Sequence, residues 1–281
     1  MDVYFIRHKM GGGRQAIEEL QKRNLIAYHF ADEFHDNIED YPEQTRGLTQ
    51  AFNAFHAINK TGCIVVAEYT DPASFVAGMI KPGTKTEPLT LNGSDGEVVY
   101  KTMSYENPKR FRYADYPLLA AIRPPYSTIC STGRSFSQII KHIYSGETIE
   151  LAVDFMHPSS IELMCDTFLK SELAPADVRL EYALLRTGKT MPAVDIYGRS
   201  ISGKKVFAQV TYAASAPSKL ELLIGFANGT GMTVYFSRDK KVSHPGLNYH
   251  FNIDEVFKKM LESGLPAWRR MLREMVGLDR D

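Results

Sequence analysis

Between His157 and Ser237 the hydrophobic period of this chain changes in a fixed order, which narrows the folds open to it more than any other feature. Behind Pro158-Ser159-Ser160, the residues Ile161, Met164, Cys165, Phe168 and Leu169 recur at helical spacing, so a serine-capped amphipathic helix is predicted. Arg179 to Arg186 reads as a strand, and the turn Thr187-Gly188-Lys189 leads through Pro192 to a second, Val194-Asp195-Ile196-Tyr197-Gly198. After Ser202-Gly203, Val206 to Tyr212 alternates as a third strand; Ser218 to Ala227 is helical and Met232 to Ser237 is again a strand. The order is helix, three-stranded meander, helix, strand: an α/β unit with a mixed sheet. The short connection from Gly198 to Lys205 requires the strands bearing Asp195 and Gln209 to be adjacent and antiparallel. Alternation then presents Phe207, Gln209 and Thr211 on one face.

The first half reads differently. Val3 to Arg7 is a strand, Met10-Gly11-Gly12-Gly13 a loop, and Arg14 to Arg23 a helix with Ala16, Ile17 and Leu20 on one side. The glycines lack the Lys-Ser/Thr of a phosphate-binding loop. Leu25 to Phe30 is a strand, and Thr45 to Asn59 a helix carrying Leu48, Ala51, Phe52, Phe55 and Ile58. Cys63 to Tyr69, Phe75 to Ile80, Val98 to Ser104 and Leu118 to Arg123 supply strands, and Phe136 to Ile143 a closing helix. This predicts a strand-rich α+β unit, a curled sheet or small barrel with flanking helices. Gly146, after a helix with Lys141 and His142 in its last turn, is a stop signal and sets the expected domains at 1–146 and 147–281.

Composition removes other classes. The formal charge is zero, against a protein that coats nucleic acid by neutralising many phosphates, while local basic clusters such as Lys109-Arg110-Phe111-Arg112, Lys204-Lys205, Lys240-Lys241 and Arg269-Arg270 remain. No apolar run approaches the roughly 18 residues of a membrane span, and the N-terminus reads as a strand rather than a signal peptide. Cys63, Cys130 and Cys165 lie far apart without a CxxC pair, as buried reduced thiols would, which points to the cytoplasm. There is no GxSxG, HExxH or dinucleotide fingerprint.

Two resemblances follow. Ala57-Ile58-Asn59-Lys60-Thr61-Gly62-Cys63-Ile64-Val65-Val66, continuing into Val76-Ala77-Gly78-Met79-Ile80, resembles the PUA-like (EVE-type) β-barrels that accompany some restriction-type nucleases. That resemblance implies an aromatic pocket for a flipped, often modified, base, with Tyr4, Tyr28, Tyr69 and Tyr113 as its candidates. The second half resembles the PD-(D/E)XK nucleases, in particular their Mrr-like branch. Carried over, Glu162 matches the helix acid, Asp195 the metal-binding aspartate and Gln209 the second ligand position. Thr211 stands where the family has its lysine, with Lys204 or Lys205 as lysines upstream. The resemblance implies Mg²⁺ held by oxygens of Asp195 and Gln209. It implies a Mg²⁺-dependent DNA endonuclease of restriction or anti-phage type whose first domain selects the substrate. The uncharged Thr211 points to the alternative, a catalytically silent DNA-binding or assembly subunit on the same scaffold. RNA is a third, weaker target. The implied partners are DNA, modified DNA included, and either a second copy of the chain or a defence-system subunit.

Overall fold

The computed structural model describes residues 1–8, 13–92, 96–124, 128–184, 192–212 and 216–278. Met10 to Gly12 and the turn at Thr187-Gly188-Lys189 lie outside the described residues. The chain divides into two units, 1–149 and 150–281.

The first unit begins β1 (Asp2–Arg7), α1 (Gly13–Lys22), β2 (Leu25–Tyr28), α2 (Arg46–Thr61), β3 (Cys63–Glu68) and β4 (Ser74–Ile80). It continues β5 (Glu87–Asn92), β6 (Glu97–Ser104), β7 (Glu106–Arg112), α3 (Pro117–Ile122), β8 (Ile129–Ser131) and α4 (Arg134–Ser145). All of β3 is buried, as its unbroken apolar run requires. Thr45 caps α2 by accepting the Leu48 N–H at 3.2 Å.

The expected barrel does not form among the described residues. The strands lie in two open sheets, β7-β4-β3-β1-β8 and β2-β6-β5. The reason is the parallel pairing of β1 with β3, which needs a long crossover containing α1, β2 and α2; that diverts β2 into the second sheet. Leu118 to Arg123 is also corrected: this stretch is α3, started by Pro117 at its first position and continued by the good helix formers Leu118, Leu119, Ala120 and Ala121. The cluster Lys109-Arg110-Phe111-Arg112 is part of β7, an edge strand whose charges and Pro108 suit an unpaired edge.

The second unit runs α5 (Pro158–Leu169), β9 (Leu180–Ala183), β10 (Ile196–Ser200), β11 (Lys205–Thr211), α6 (Pro217–Ala227) and β12 (Met232–Ser237). β13 (Tyr249–Asn252), α7 (Ile253–Glu262) and α8 (Pro266–Met275) complete it. The mixed sheet has the order β13-β12-β11-β10-β9. β9, β10 and β11 pair antiparallel, and β11, β12 and β13 pair parallel. The strands flanking Asp195 and containing Gln209 are therefore adjacent and antiparallel, as the short connection required. Gly198 lets β9 close in, because a β-carbon there would lie 2.3 Å from the Tyr182 carbonyl oxygen.

Two helices sandwich the sheet. α6 packs on the face of Phe207 and Tyr235 through Leu220, Leu223 and Ala227. α5 packs on the other face, with Phe168 edge-on to Phe236 and Phe251. The cap of α5 is His157 rather than a serine: Pro158 occupies the first helical position, where its missing N–H does no harm, and His157 Nδ1 accepts the Ser159 N–H at 3.2 Å.

Buried polar groups in the first unit are matched at the ends of β1 and β3. Glu68, 4% exposed, accepts from Arg7 Nε at 2.7 Å, Arg123 Nη1 at 2.8 Å and the Tyr113 hydroxyl at 2.5 Å. His8 is neutral there. Its Nε2 accepts the Ala27 N–H at 3.2 Å, which leaves the proton on Nδ1 to be donated to the Glu68 carbonyl at 2.8 Å. Burial pushes the His8 pKa down to about 4. Because this lies below the ordinary 6.5, the unfolded chain takes up the proton first. The stability due to neutral His8 is full above pH 6.5 and is lost as the pH falls towards 4, by up to about 3 kcal/mol. Urea unfolding at pH 7 and pH 4.5 should show this loss, and His8→Gln should reduce it; an unchanged acid limb in the variant refutes the assignment.

Candidate active site

The N–H of Asp195 donates to the Ala208 carbonyl at 2.9 Å, which extends the β10–β11 ladder by one residue and sets the Asp195 side chain beside Gln209. Asp195 Oδ2 accepts the Val210 N–H at 2.8 Å and the Gln209 Nε2 at 2.5 Å. The carboxylate only accepts, so it fixes the Gln209 amide with nitrogen towards Asp195 and oxygen away. Gln209 and Thr211 are 1% and 2% exposed. Alternation along β11 puts both on the α6 side with Phe207.

Gln209 Oε1 and Thr211 Oγ1 are buried and have no hydrogen-bond partner among the described residues. Leaving a buried polar atom unpaired costs roughly 1–3 kcal/mol. Two such oxygens on one face, beside a carboxylate, form a site whose hydrogen bonding is incomplete without a further species.

Burial raises the Asp195 pKa above the usual carboxylate value; the Val210 N–H, the Lys219 ammonium and the Gln209 amide pull the other way. Lys219 lies in the first turn of α6 and is the cation whose charge acts on Asp195. Sequence reasoning passed over it. Its signal was a lysine directly after the Pro217-Ser218 start of the helix that follows the Gln209 strand. Lys204 and Lys205 sit instead at the hairpin end of β10 and β11, where Lys204 faces Asp177 at 3.7 Å. The length of β10, roughly 17 Å, separates that end from Asp195.

Glu162 is half-buried on α5, which packs on the opposite face of the sheet. Its charge and that of Asp195 both act on buried Cys165, whose thiol is pushed well up, first by burial and then by Asp195, Glu162 and Asp166. Glu162 and Asp195 thus flank a common neighbour without forming one ligand group. Among the described residues no three His, Cys, Asp or Glu side chains gather to hold a metal ion.

A divalent cation can still be tested against what is present. Asp195 Oδ1, the orphaned Gln209 Oε1 and the orphaned Thr211 Oγ1 are hard oxygen donors. Mg²⁺ typically takes one or two carboxylates together with waters and substrate phosphates. These oxygens are of the type Mg²⁺ takes, but with the Gln209 nitrogen on Asp195 the described residues do not gather them into one ligand set.

A second constellation fails the same kind of test. Ser237 Oγ lies 3.0 Å from His250 Nε2 and 3.5 Å from Asp239 Oδ2. His250 Nδ1, however, accepts the Val242 N–H at 3.3 Å, so the proton is on Nε2 and the ring cannot act as base towards the serine. Ser237 is also fully buried.

The four tyrosines do not meet in one cage. Tyr4 packs at the margin of the core. Tyr69 stacks on His8 at 4.5 Å and bonds the Leu25 carbonyl and the Tyr105 hydroxyl, while Tyr113 is held by Glu68. Tyr28 lines an aromatic cavity, of about 320 Å³, together with Phe34, Phe52, Phe55, His56 and Lys85. Phe52 and Phe55 were visible only as the apolar face of a helix.

Comparison with known protein families, with curated proteins and with solved structures gives no match.

The raised Asp195 pKa gives a stability test. With the folded value above the unfolded 3.8, its contribution is present at low pH and lost as pH rises through the raised value. Asp195→Asn, which keeps an oxygen for the Val210 N–H, should raise the thermal midpoint at pH 7 and lose that advantage near pH 3.5. A lower midpoint at pH 7 would mean that the carboxylate is there for stability.

Proposed function

We propose that the second unit is a metal-dependent nuclease-type module acting on DNA, with the first unit selecting the substrate. The observation that carries this is the face shared by Asp195, Gln209 and Thr211: a carboxylate with a raised pKa beside two buried oxygens that have no partner among the described residues. Perturbed carboxylates with incomplete hydrogen bonding mark functional sites more than structural ones. The helix, meander, helix, strand order supports the same reading, as does the position of Asp195 opposite Gln209.

Asp195 Oδ1 would hold the cation while the Val210 N–H keeps the carboxylate oriented, and the Gln209 amide would turn over from its bond to Asp195 to offer its oxygen as the second ligand. When bound, Mg²⁺ supplies charge stabilisation at a phosphoryl oxygen and a more acidic water. Thr211 offers a hydroxyl to position a water, and Lys219 offers the positive charge that Thr211 lacks. In the first unit, the cavity beside Tyr28 is the surface suited to an unstacked base, because aromatic walls stack on any base. The restriction or anti-phage setting is what the resemblance to the PD-(D/E)XK nucleases implies, and the cytoplasmic location rests on the cysteine usage. No helix among the described residues is long and apolar enough to cross a membrane.

A second reading is favoured by Thr211 and by the single carboxylate at the site: a silent nuclease-type scaffold that binds DNA without cutting it.

Cleavage assays with Mg²⁺ or Mn²⁺ separate the two. If the protein cuts, Asp195→Ala should lower the rate about a thousandfold or more, with the fold intact, and Gln209→Ala should be milder. Thr211→Lys should create weak nicking in a silent protein and change the rate only modestly in an active one. Cleavage by Asp195→Ala at the unmodified rate, with contaminating nuclease excluded, removes the site.

A further inference from the structure

On the α6 face, Tyr235 of β12 pairs in register with Gln209 of β11. Adjacent strands are about 5 Å apart, so whatever touches Tyr235 lies one strand from the candidate site. A cavity of about 550 Å³ opens there, between the start of α6 and the segment after β12. One wall is apolar, made by Pro217, Leu220 and Val242, with Tyr235 at the back. The rim carries Lys240 and Lys241. Both lysines are exposed, and among the described residues neither forms an ion pair. Asp239, also on the rim, is turned to the Ser237 hydroxyl.

Such a cavity is unlike an apolar ligand pocket, because charge gathers on one edge, where Lys240 and Lys241 outnumber Asp239. It also differs from a plain basic surface, because it has an apolar wall and enough room for a nucleoside. We propose that it is a nucleotide subsite, holding the residue of a nucleic-acid strand next to the phosphate presented to Asp195. The sugar and base lie against Pro217, Leu220 and Val242, and the phosphate is met by Lys240 and Lys241. The assignment rests on the proposed site at Asp195 and Gln209 for the direction of the strand, but its binding readout is independent of cleavage. Lys219 at the helix start and Lys240 and Lys241 across the cavity would then track one backbone on both sides of that site.

The test is fluorescence anisotropy of labelled 20-residue duplex DNA, single-stranded DNA and single-stranded RNA, over a salt series without divalent metal. Lys240→Gln/Lys241→Gln should lower affinity about tenfold near physiological salt and flatten the dependence of log K on log salt by one to two. Lys259→Gln, an exposed lysine on α7, is the control and should change neither. The preferred strand in the unmodified protein identifies the source of the phosphate. Equal affinity and slope in the double variant overturn the subsite, as does an effect matched by Lys259→Gln or the absence of any binding. Binding lost through these lysines in a protein that never cuts keeps the subsite and removes the nuclease reading. Asp195-dependent cutting with unchanged binding in the double variant does the reverse.

Discussion

The parallel pairing of β11 with β12 is the constraint on which the second unit depends. A parallel partner cannot be reached by a tight turn, so the chain must cross over, and α6 is that crossover. The helix covers the face of Phe207 and Tyr235, and α5 covers the other, so β11 is sealed along almost all its length. Two polar residues, Gln209 and Thr211, are thereby trapped at its end. The same crossover begins with Lys219, which brings a positive charge towards Asp195. Packing and electrostatics of the candidate site have one origin.

The two units treat buried polarity differently. In the first, Glu68 meets two arginines and a tyrosine, and both nitrogens of His8 are used. That network holds the ends of β1 and β3 and leaves its central carboxylate little left to offer. In the second, Asp195 accepts the Val210 N–H and the Gln209 amide on one oxygen, and its neighbours retain oxygens with no partner among the described residues. Unpaired polar atoms also occur at Tyr100, Gln138 and Arg179. Gln209 and Thr211 differ in lying two residues apart on one face, beside a carboxylate whose proton is held more tightly than usual.

Charge at the site comes from elsewhere in the chain than a strand motif suggests. The position two residues after Gln209 holds a hydroxyl, and the lysines upstream in sequence sit at the far end of the hairpin. Lys219 is eight places beyond Thr211 in sequence, yet a single helix start carries it towards the same carboxylate. A nucleic-acid strand running past Asp195 would meet further cations at Lys240 and Lys241, which the loop after β12 places beside the same helix.

The sequence alone settled the element order of the second unit from α5 to β12, the antiparallel neighbours around Asp195 and Gln209, and the shared face of Gln209 and Thr211. These follow from local rules: period, turn length and strand alternation. It also marked Gly146 as a helix stop. It could not determine sheet closure in the first unit, because an alternating strand carries no record of which partner it takes; the parallel pairing of β1 with β3 was decided by packing. Nor could it find β13, α7 and α8, or separate the helix at Leu118 from a strand, since a short apolar run suits either until its neighbours are placed. Above all, tertiary structure decided which oxygens at the site have no partner among the described residues and which lysine's charge acts on Asp195. Both depend on distances between residues far apart along the chain, and local pattern does not encode those.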